Sequence, residues 1–412
     1  MNEATGSGRQ INSGFQVVDG SITVGGVPLA RLAARVGATP FFAYDRRLIS
    51  ERVESLRRVL PAEIHLSYAI KANPMPAVVQ HLAGLVDGFD VASAGELKTV
   101  LDTPMMRERV SFAGPGKRQY ELKQALAAGV TVNVESGHEL DRLAEAGRSL
   151  GVVPRVCLRI NPDFDLRASG MRMGGGAKQF GIDLEEAPAV LGRCRELGVD
   201  FQGFHVYAGS QNLNAEAICQ TLGQIIDLAV SLSEHATAGV RQLNMGGGFG
   251  IPYFAGNQPL DLAAVADGLA ALMSRAHDRL PEARLVLELG RYFVGEAGIY
   301  VCRIVDRKVS RGQIFLVTDG GLHHHLAASG NFGQVARRNF PVAVGNRMDQ
   351  PSSETVSVVG CLCTPLDLLA DKVELPGTEV GDFIVIFQSG AYAMTASPKD
   401  FLSHPSPIEV LL

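Results

Sequence analysis

Hydrophobic and polar positions change period repeatedly along this chain. From about Thr39 to Arg291, short β-branched runs alternate with amphipathic stretches at helical spacing. The runs Phe41–Tyr44, Ile64–Ile70, Gly88–Ala92, Val110–Ala113, Thr131–Val134, Val156–Ile160, Phe201–Val206, Gln242–Met245 and Leu285–Leu287 predict strands. Helices are predicted between them, among them Asp45–Val59, Pro76–Leu85, Ala94–Leu101, Gln119–Ala128, Gly137–Leu150 and Ala215–Ala236. Regular βα alternation predicts a parallel sheet, so the class is α/β. About eight such units over roughly 250 residues fit a closed (β/α)8, or TIM, barrel. A doubly wound open sheet stays open as the alternative, because periodicity does not show closure.

After about Ala297 strand-like runs follow one another: Ile299–Val309, Ile314–Thr318, Glu354–Val359 and Phe383–Phe387. This predicts a second, mostly β domain. The runs Phe15–Val18 and Ser21–Val24 precede the barrel. The expected division is a lead-in over 1–14, a barrel over 39–296, and a β domain from 15–38 and 297–412.

Length and charge narrow the function classes. The 412 residues, 46% of them hydrophobic, suffice for two domains. The net charge of −5 comes without a basic stripe, which argues against a nucleic-acid partner. No apolar stretch approaches the ~20 residues of a membrane span. Met1 to Gly14 is polar, lacks the apolar centre of a signal peptide and reads as a disordered lead-in. A soluble cytoplasmic protein is expected. The six cysteines are scattered, which argues against a disulfide framework.

Lys71 ends a β-like run inside Ser67-Tyr68-Ala69-Ile70-Lys71-Ala72-Asn73-Pro74. Apolar surroundings would lower its pKa and ready it for Schiff-base chemistry. A solvated strand-end lysine fits the residues equally well. Gly246-Gly247-Gly248-Phe249-Gly250 follows a strand and suits a phosphate. It lacks the spacing of a dinucleotide fingerprint, since Tyr253 stands where a last glycine would be. Glu288-Leu289-Gly290-Arg291 ends the next strand. His205 reads as a buried, satisfied histidine. His323-His324-His325 invites a metal reading, but neighbours on extended chain face opposite ways and rarely share an ion. No metal is assigned. Arg337 and Arg338 read as solvated, or as contacts for an acidic partner.

Tyr68-Ala69-Ile70-Lys71-Ala72-Asn73 and Asp87-Gly88-Phe89-Asp90-Val91-Ala92-Ser93-Ala94-Gly95-Glu96 together resemble the fold-type III pyridoxal phosphate decarboxylases. That family acts on diaminopimelate, ornithine or arginine, and alanine racemase is a distant relative. The resemblance implies an alanine racemase-like barrel, with a β domain built from both chain ends. It implies pyridoxal 5'-phosphate bound through Lys71, with Asp90 near it. Glu288 would keep the pyridine nitrogen protonated, where racemases place a cation; that disfavours a racemase. Gly247, Gly248, Gly250, Gly290, Arg291 and Ser210 would hold the cofactor, chiefly its phosphate. Tyr207 falls where the family has a ring-stacking histidine, and can stack but not supply imidazole chemistry.

Cys363-Thr364-Pro365-Leu366-Asp367 is similar to the family's Cys-x-x-x-Asp, whose thiol protonates the product carbanion. Gly390-Ala391-Tyr392 is similar to the family's Gly-Ala-Tyr, whose hydroxyl reaches the phosphate. Both act across a dimer, so the resemblance implies a homodimer with shared active sites. Thr364 stands where diaminopimelate enzymes carry Glu and ornithine enzymes Asp. The stretch Asp319 to Gln334 carries no arginine. A site that reads a charged end group needs a buried opposite charge. The same stretch resembles a subgroup associated with exosortase A and surface polysaccharide, and the butirosin-pathway enzyme acting on a glutamyl group tethered to an acyl carrier protein. The expected function is decarboxylation of a small amino-acid substrate, with an acyl carrier protein as a candidate partner. Free diaminopimelate or another diamino acid is the alternative.

Overall fold

The computed structural model describes residues 14–164, 170–236, 238–334 and 336–412. The expected lead-in lies, apart from Gly14, outside them. The chain divides into two compact units. One comprises Ser50–Pro252 and Gln258–Phe293; the other comprises Tyr253–Asn257, Val294–Leu412 and the described residues up to Ile49.

The first unit is a closed parallel barrel. Its strands run in chain order around the ring: His65–Ala69, Gly88–Val91, Val110–Phe112, Thr131–Val134, Arg155–Asn161, Asp200–Val206, Gln242–Gly247 and Arg284–Leu289. The last pairs with the first, Leu287 opposite Leu66 and Glu288 opposite Ser67, so no edge is left. The open-sheet alternative is thereby excluded.

Local chemistry starts and stops the helices outside it. The side chains of Ser93, Ser136, Asn214 and Asp261 accept N–H bonds in the first turns of Ala94–Leu101, Gly137–Leu150, Ala215–Ser233 and Leu262–Arg279. Gly129, Gly151 and Gly198 end helices in the left-handed conformation. Helix Leu262–Arg279 and helix Ala187–Leu197, which starts with a proline in its first turn, were not among those assigned from periodicity. No described helix is long and apolar enough to cross a membrane.

The second unit is a mixed β structure built on the 13-residue strand Gly298–Ser310. It pairs with Phe383–Ile386, Gln313–Thr318 and Phe41–Tyr44, all antiparallel. Glu354–Val359 and Leu368–Leu375 extend one side, and Val342–Val344 lies beyond Phe383–Ile386. Phe41–Tyr44, placed with the barrel strands by pattern, thus belongs to the other sheet. It is flanked there by Gly298–Ser310 and by Ile408–Leu411, so all four residues are buried as in a barrel strand. Gln16–Val18, Ser21–Val24 and Val27–Pro28 form a small sheet of their own. Phe15, Ile22 and Val24 share a core with Phe41, Ile299, Val301, Phe383 and Val385, which ties the N-terminal strands to the C-terminal sheet.

One expectation changes here. His323 and His324 lie in turns rather than extended chain, and all three histidines are buried. Arg337 is exposed, as expected, and its guanidinium also donates to the carbonyls of Ser329 (2.7 Å) and Leu368 (2.5 Å). Arg338 lies 3.8 Å from the ring centre of Phe254.

Candidate active site

Lys71 sits in a single 3-10 turn, Ile70–Ala72, that follows the first barrel strand. Its neighbours build that turn. Ile70 and Ala72 are buried, the Tyr68 hydroxyl donates to the Asn73 carbonyl at 2.9 Å, and the Asn73 side chain accepts from the Met75 N–H at 3.1 Å. The lysine side chain emerges from this frame 43% exposed, with Nζ 3.5 Å from Glu288 Oε1 and 5.3 Å from the Tyr207 ring centre. Apolar surroundings therefore do not define this lysine. An anion and an aromatic face do, and its amine is reachable.

Glu288, at the end of the last barrel strand, is 2% exposed. Burial alone would raise its pKa, but the charge of Lys71 and then the His205 contact bring it down to about 2. His205 Nε2 lies 3.1 Å away, close but not aligned as a strict hydrogen bond, and burial lowers the histidine's pKa. His205 is buried as expected, with Nε2 facing the carboxylate of Glu288. Its Nδ1 is buried with no hydrogen-bond partner among the described residues.

Asp90 behaves oppositely. Burial, then the Glu288 charge, raises it to about 7, against the hydroxyls of Ser111 and Ser67, which both donate to it. Asn244 Nδ2 stands between the two acids, 3.3 Å from Asp90 Oδ1 and 3.3 Å from Glu288 Oε2. The site therefore holds one carboxyl group that stays charged and one poised near neutrality. Ser67, Ser111 and Asn244 are functional neighbours that motif reading missed. Their one sequence trace is a polar residue inside an otherwise apolar strand.

The glycine run closes this end of the barrel. Gly246 and Gly248 have φ of +64° and +75°, which favours glycine. A Cβ on Gly247 would stand 2.5 Å from the Glu288 carbonyl oxygen. The Gly250 N–H is already given to the Asn212 carbonyl at 2.8 Å, so that glycine contributes shape. Gly290 packs against the lysine turn, where a Cβ would meet that of Ala72 at 3.0 Å. Ser210 lies in a two-residue strand paired with Met171–Arg172. Arg291 opens the short helix Arg291–Val294. On neighbouring strands a buried pair, Arg159 Nη1 to Glu135 Oε1 at 2.8 Å, stiffens the same region.

Cys363 and Tyr392 belong to the other unit. Cys363 is exposed in a bend held by Asp367, whose buried carboxylate accepts the N–H groups of Leu322 (2.6 Å) and Leu362 (2.8 Å). Tyr392 has φ of +52° and is half-buried.

The donors present suit pyridoxal phosphate. A reachable primary amine, a buried carboxylate held ionised, an aromatic face and a glycine turn that admits no side chain stand together in one barrel. Closed barrel and site thus define a pyridoxal phosphate enzyme. Residues 46–295 match the family model for the pyridoxal-dependent decarboxylase, pyridoxal binding domain. The chain is 36% identical to the L-glutamyl-[BtrI acyl-carrier protein] decarboxylase of Niallia circulans, covering 90% of this chain and 88% of that one. It is 30% identical to the diaminopimelate decarboxylase of Aquifex aeolicus, over 98% and 93% of the two chains. A diaminopimelate decarboxylase structure from M. jannaschii in co-complex with L-lysine superposes with a TM-score of 0.88 at 26% identity, over 97% and 92%. The chain belongs to the pyridoxal-dependent decarboxylase family related to diaminopimelate and ornithine decarboxylases. It is an amino-acid decarboxylase, a carbon–carbon lyase that uses pyridoxal phosphate.

Proposed function

We propose that Lys71 holds the cofactor covalently and that Glu288 keeps its pyridine nitrogen protonated. When bound, the cofactor supplies the electron sink that makes loss of CO2 from Cα feasible. The other roles follow from chain position. Gly247, Gly248, Ser210, Arg291 and Tyr392 hold the phosphate, Gly250 and Gly290 permit the close backbone approaches around it, and Tyr207 covers the ring. Asp90, poised near neutrality, tunes the Glu288 field through Asn244. Cys363 returns a proton to Cα, and in a homodimer it and Tyr392 serve the partner's site. The observation that carries this reading is the Lys71–Glu288 pair at 3.5 Å, one member reachable and the other buried and ionised. A cytoplasmic location is part of the same reading.

For the substrate, the comparisons weigh toward a free diamino acid, since diaminopimelate decarboxylases recur among the relatives. A carrier-bound aminoacyl group, as for the surface-polysaccharide subgroup, is the second reading. It is favoured by Thr364 beside Cys363, by Arg337 spent on backbone carbonyls, and by the Niallia circulans relative. Together these leave little fixed charge for a distal end group.

The deciding experiment gives purified protein and pyridoxal phosphate a panel of carboxyl-labelled free amino acids and their carrier-protein thioesters, and traps released CO2. Release from a free diamino acid supports the first reading. Release from thioesters alone establishes the second. No release from either, with intact Lys71-dependent cofactor absorbance, would overturn the decarboxylase roles assigned above.

A further inference from the structure

The three consecutive histidines have no part in the chemistry above, and two of them are fully occupied. His324 Nδ1 lies 3.2 Å from the Tyr300 hydroxyl and its Nε2 2.9 Å from the Pro405 carbonyl. His325 Nε2 lies 2.9 Å from Ser389 Oγ, and its Nδ1 accepts the Ala328 N–H at 3.2 Å. His323 is different. It is 0% exposed, and neither ring nitrogen has a hydrogen-bond partner among the described residues. A buried polar atom left unpaired costs about 1–3 kcal/mol. A native fold keeps such an atom where something else satisfies it.

Two further residues stand beside it: Cys361, just past strand Glu354–Val359, and His404, which ends the turn Phe401–Ser403. Cys361 Sγ is 3.8 Å from His404 Nε2, and the His323 and His404 rings are 5.1 Å apart. One ligand atom from each of the three residues lies within 4.8 Å of the others. A tetrahedral ion with bonds of ~2.0–2.1 Å to nitrogen and ~2.3 Å to sulfur spaces its ligand atoms about 3.5 Å apart. The cluster needs to contract by about 1.3 Å at most. His323 lies at the closed end, and Cys361 and His404 are half-buried, which leaves a route in.

We propose that His323, Cys361 and His404 form a binding site for a borderline-soft divalent ion of the Zn2+ class, with water in the fourth position. The donor set selects the ion. One thiolate and two imidazoles suit zinc and exclude the oxygen-seeking Mg2+ and Ca2+. Binding releases the Cys361 proton to solvent. It also satisfies one nitrogen of His323 and ties together three segments far apart in the chain. The site departs from the simple histidine-run reading: one histidine of the three ligates, and its partners come from elsewhere.

The test uses untagged, cofactor-loaded full-length protein. It is dialysed against Zn2+, freed of excess metal and assayed by elemental analysis; a second sample takes Co2+, read as a difference spectrum against the zinc form. One metal per chain is expected, with a thiolate-to-cobalt charge-transfer band. Cys361→Ser should abolish the band, while Cys363→Ser keeps it. His404→Ala should weaken binding more than about a hundredfold, beyond the range for outer-shell partners. Zn2+ should raise the unfolding midpoint of the wild type but not of His404→Ala, which separates lost ligation from lost folding. Metal well below one per chain, equal retention by His404→Ala, or a band that disappears with Cys363 instead of Cys361 would each overturn the assignment.

Discussion

Asp90→Asn measures the cost of placing a second carboxyl group beside Glu288. In the fold the Asp90 pKa stands near 7 against 3.8 for an unperturbed aspartate, because of burial and then the Glu288 charge. A carboxyl group with a raised folded pKa binds more protons folded than unfolded. Its contribution is therefore harmless below about pH 4 and destabilises progressively as pH rises towards 7. Roughly three pKa units at ~1.36 kcal/mol each give about 4 kcal/mol as the full cost at pH 8. Asparagine removes the charge and keeps the shape. Its oxygen can still accept from Asn244 and one serine, and the other serine hydroxyl can turn to accept from the new amide. The assay is urea unfolding of cofactor-free wild type and variant at pH 5 and pH 8. The variant should gain on the wild type between the two pH values by up to about 3 kcal/mol. Groups away from Asp90 titrate alike in both proteins and cancel in that difference, and Glu288 stays ionised between the two pH values. A stability gap that does not change with pH would show that Asp90 is not strained by ionisation, and the reading of its environment would be wrong.

Other residues give shorter tests. Glu288→Gln should cut turnover by about a hundredfold or more, about 3 kcal/mol in the barrier, while cofactor stays bound through Lys71; steady-state kinetics and the visible spectrum check both. Gly247→Ala forces a Cβ against the Glu288 carbonyl, so cofactor affinity should fall and stability drop by about 1–3 kcal/mol, read by cofactor titration and thermal melting. Arg159→Met leaves Glu135 buried without its 2.8 Å partner and should cost about 3–5 kcal/mol at pH 7 in denaturant unfolding. The Glu135 pKa is held down by Arg159 and Lys117 against burial, so in that variant part of the loss should be recovered on acidification as the carboxyl protonates.

Much of the site was legible because its chemistry is local. Tyr68, Lys71 and Asn73 build their turn within a few residues, and Glu288 with Gly290 sits at a strand end, where the family resemblance singles it out. The pairing of acids across the barrel was not. Asn244 touches Asp90 and Glu288 from a third strand, and no spacing along the chain encodes that. Phe41–Tyr44 misled for a physical reason: a central strand covered on all sides is as uniformly apolar as a barrel strand. The histidine run misled because the geometry of extended chain was applied to residues that lie in turns.

That same strand constrains how the protein is made. Phe41–Tyr44 leaves the ribosome early, but its two partners, Gly298–Ser310 and Ile408–Leu411, follow only after the whole barrel has been translated. The barrel strands pair with near neighbours in chain order, apart from the closing seam, and can assemble during synthesis. An apolar, unpaired strand must meanwhile be kept from other chains until its far-off neighbours appear. The unit that carries Cys363 and Tyr392 is therefore finished last. If Cys363 and Tyr392 act as proposed, newly made protein should pass through a stage with a formed barrel and no competence for catalysis, and in that stage it should depend most on chaperones.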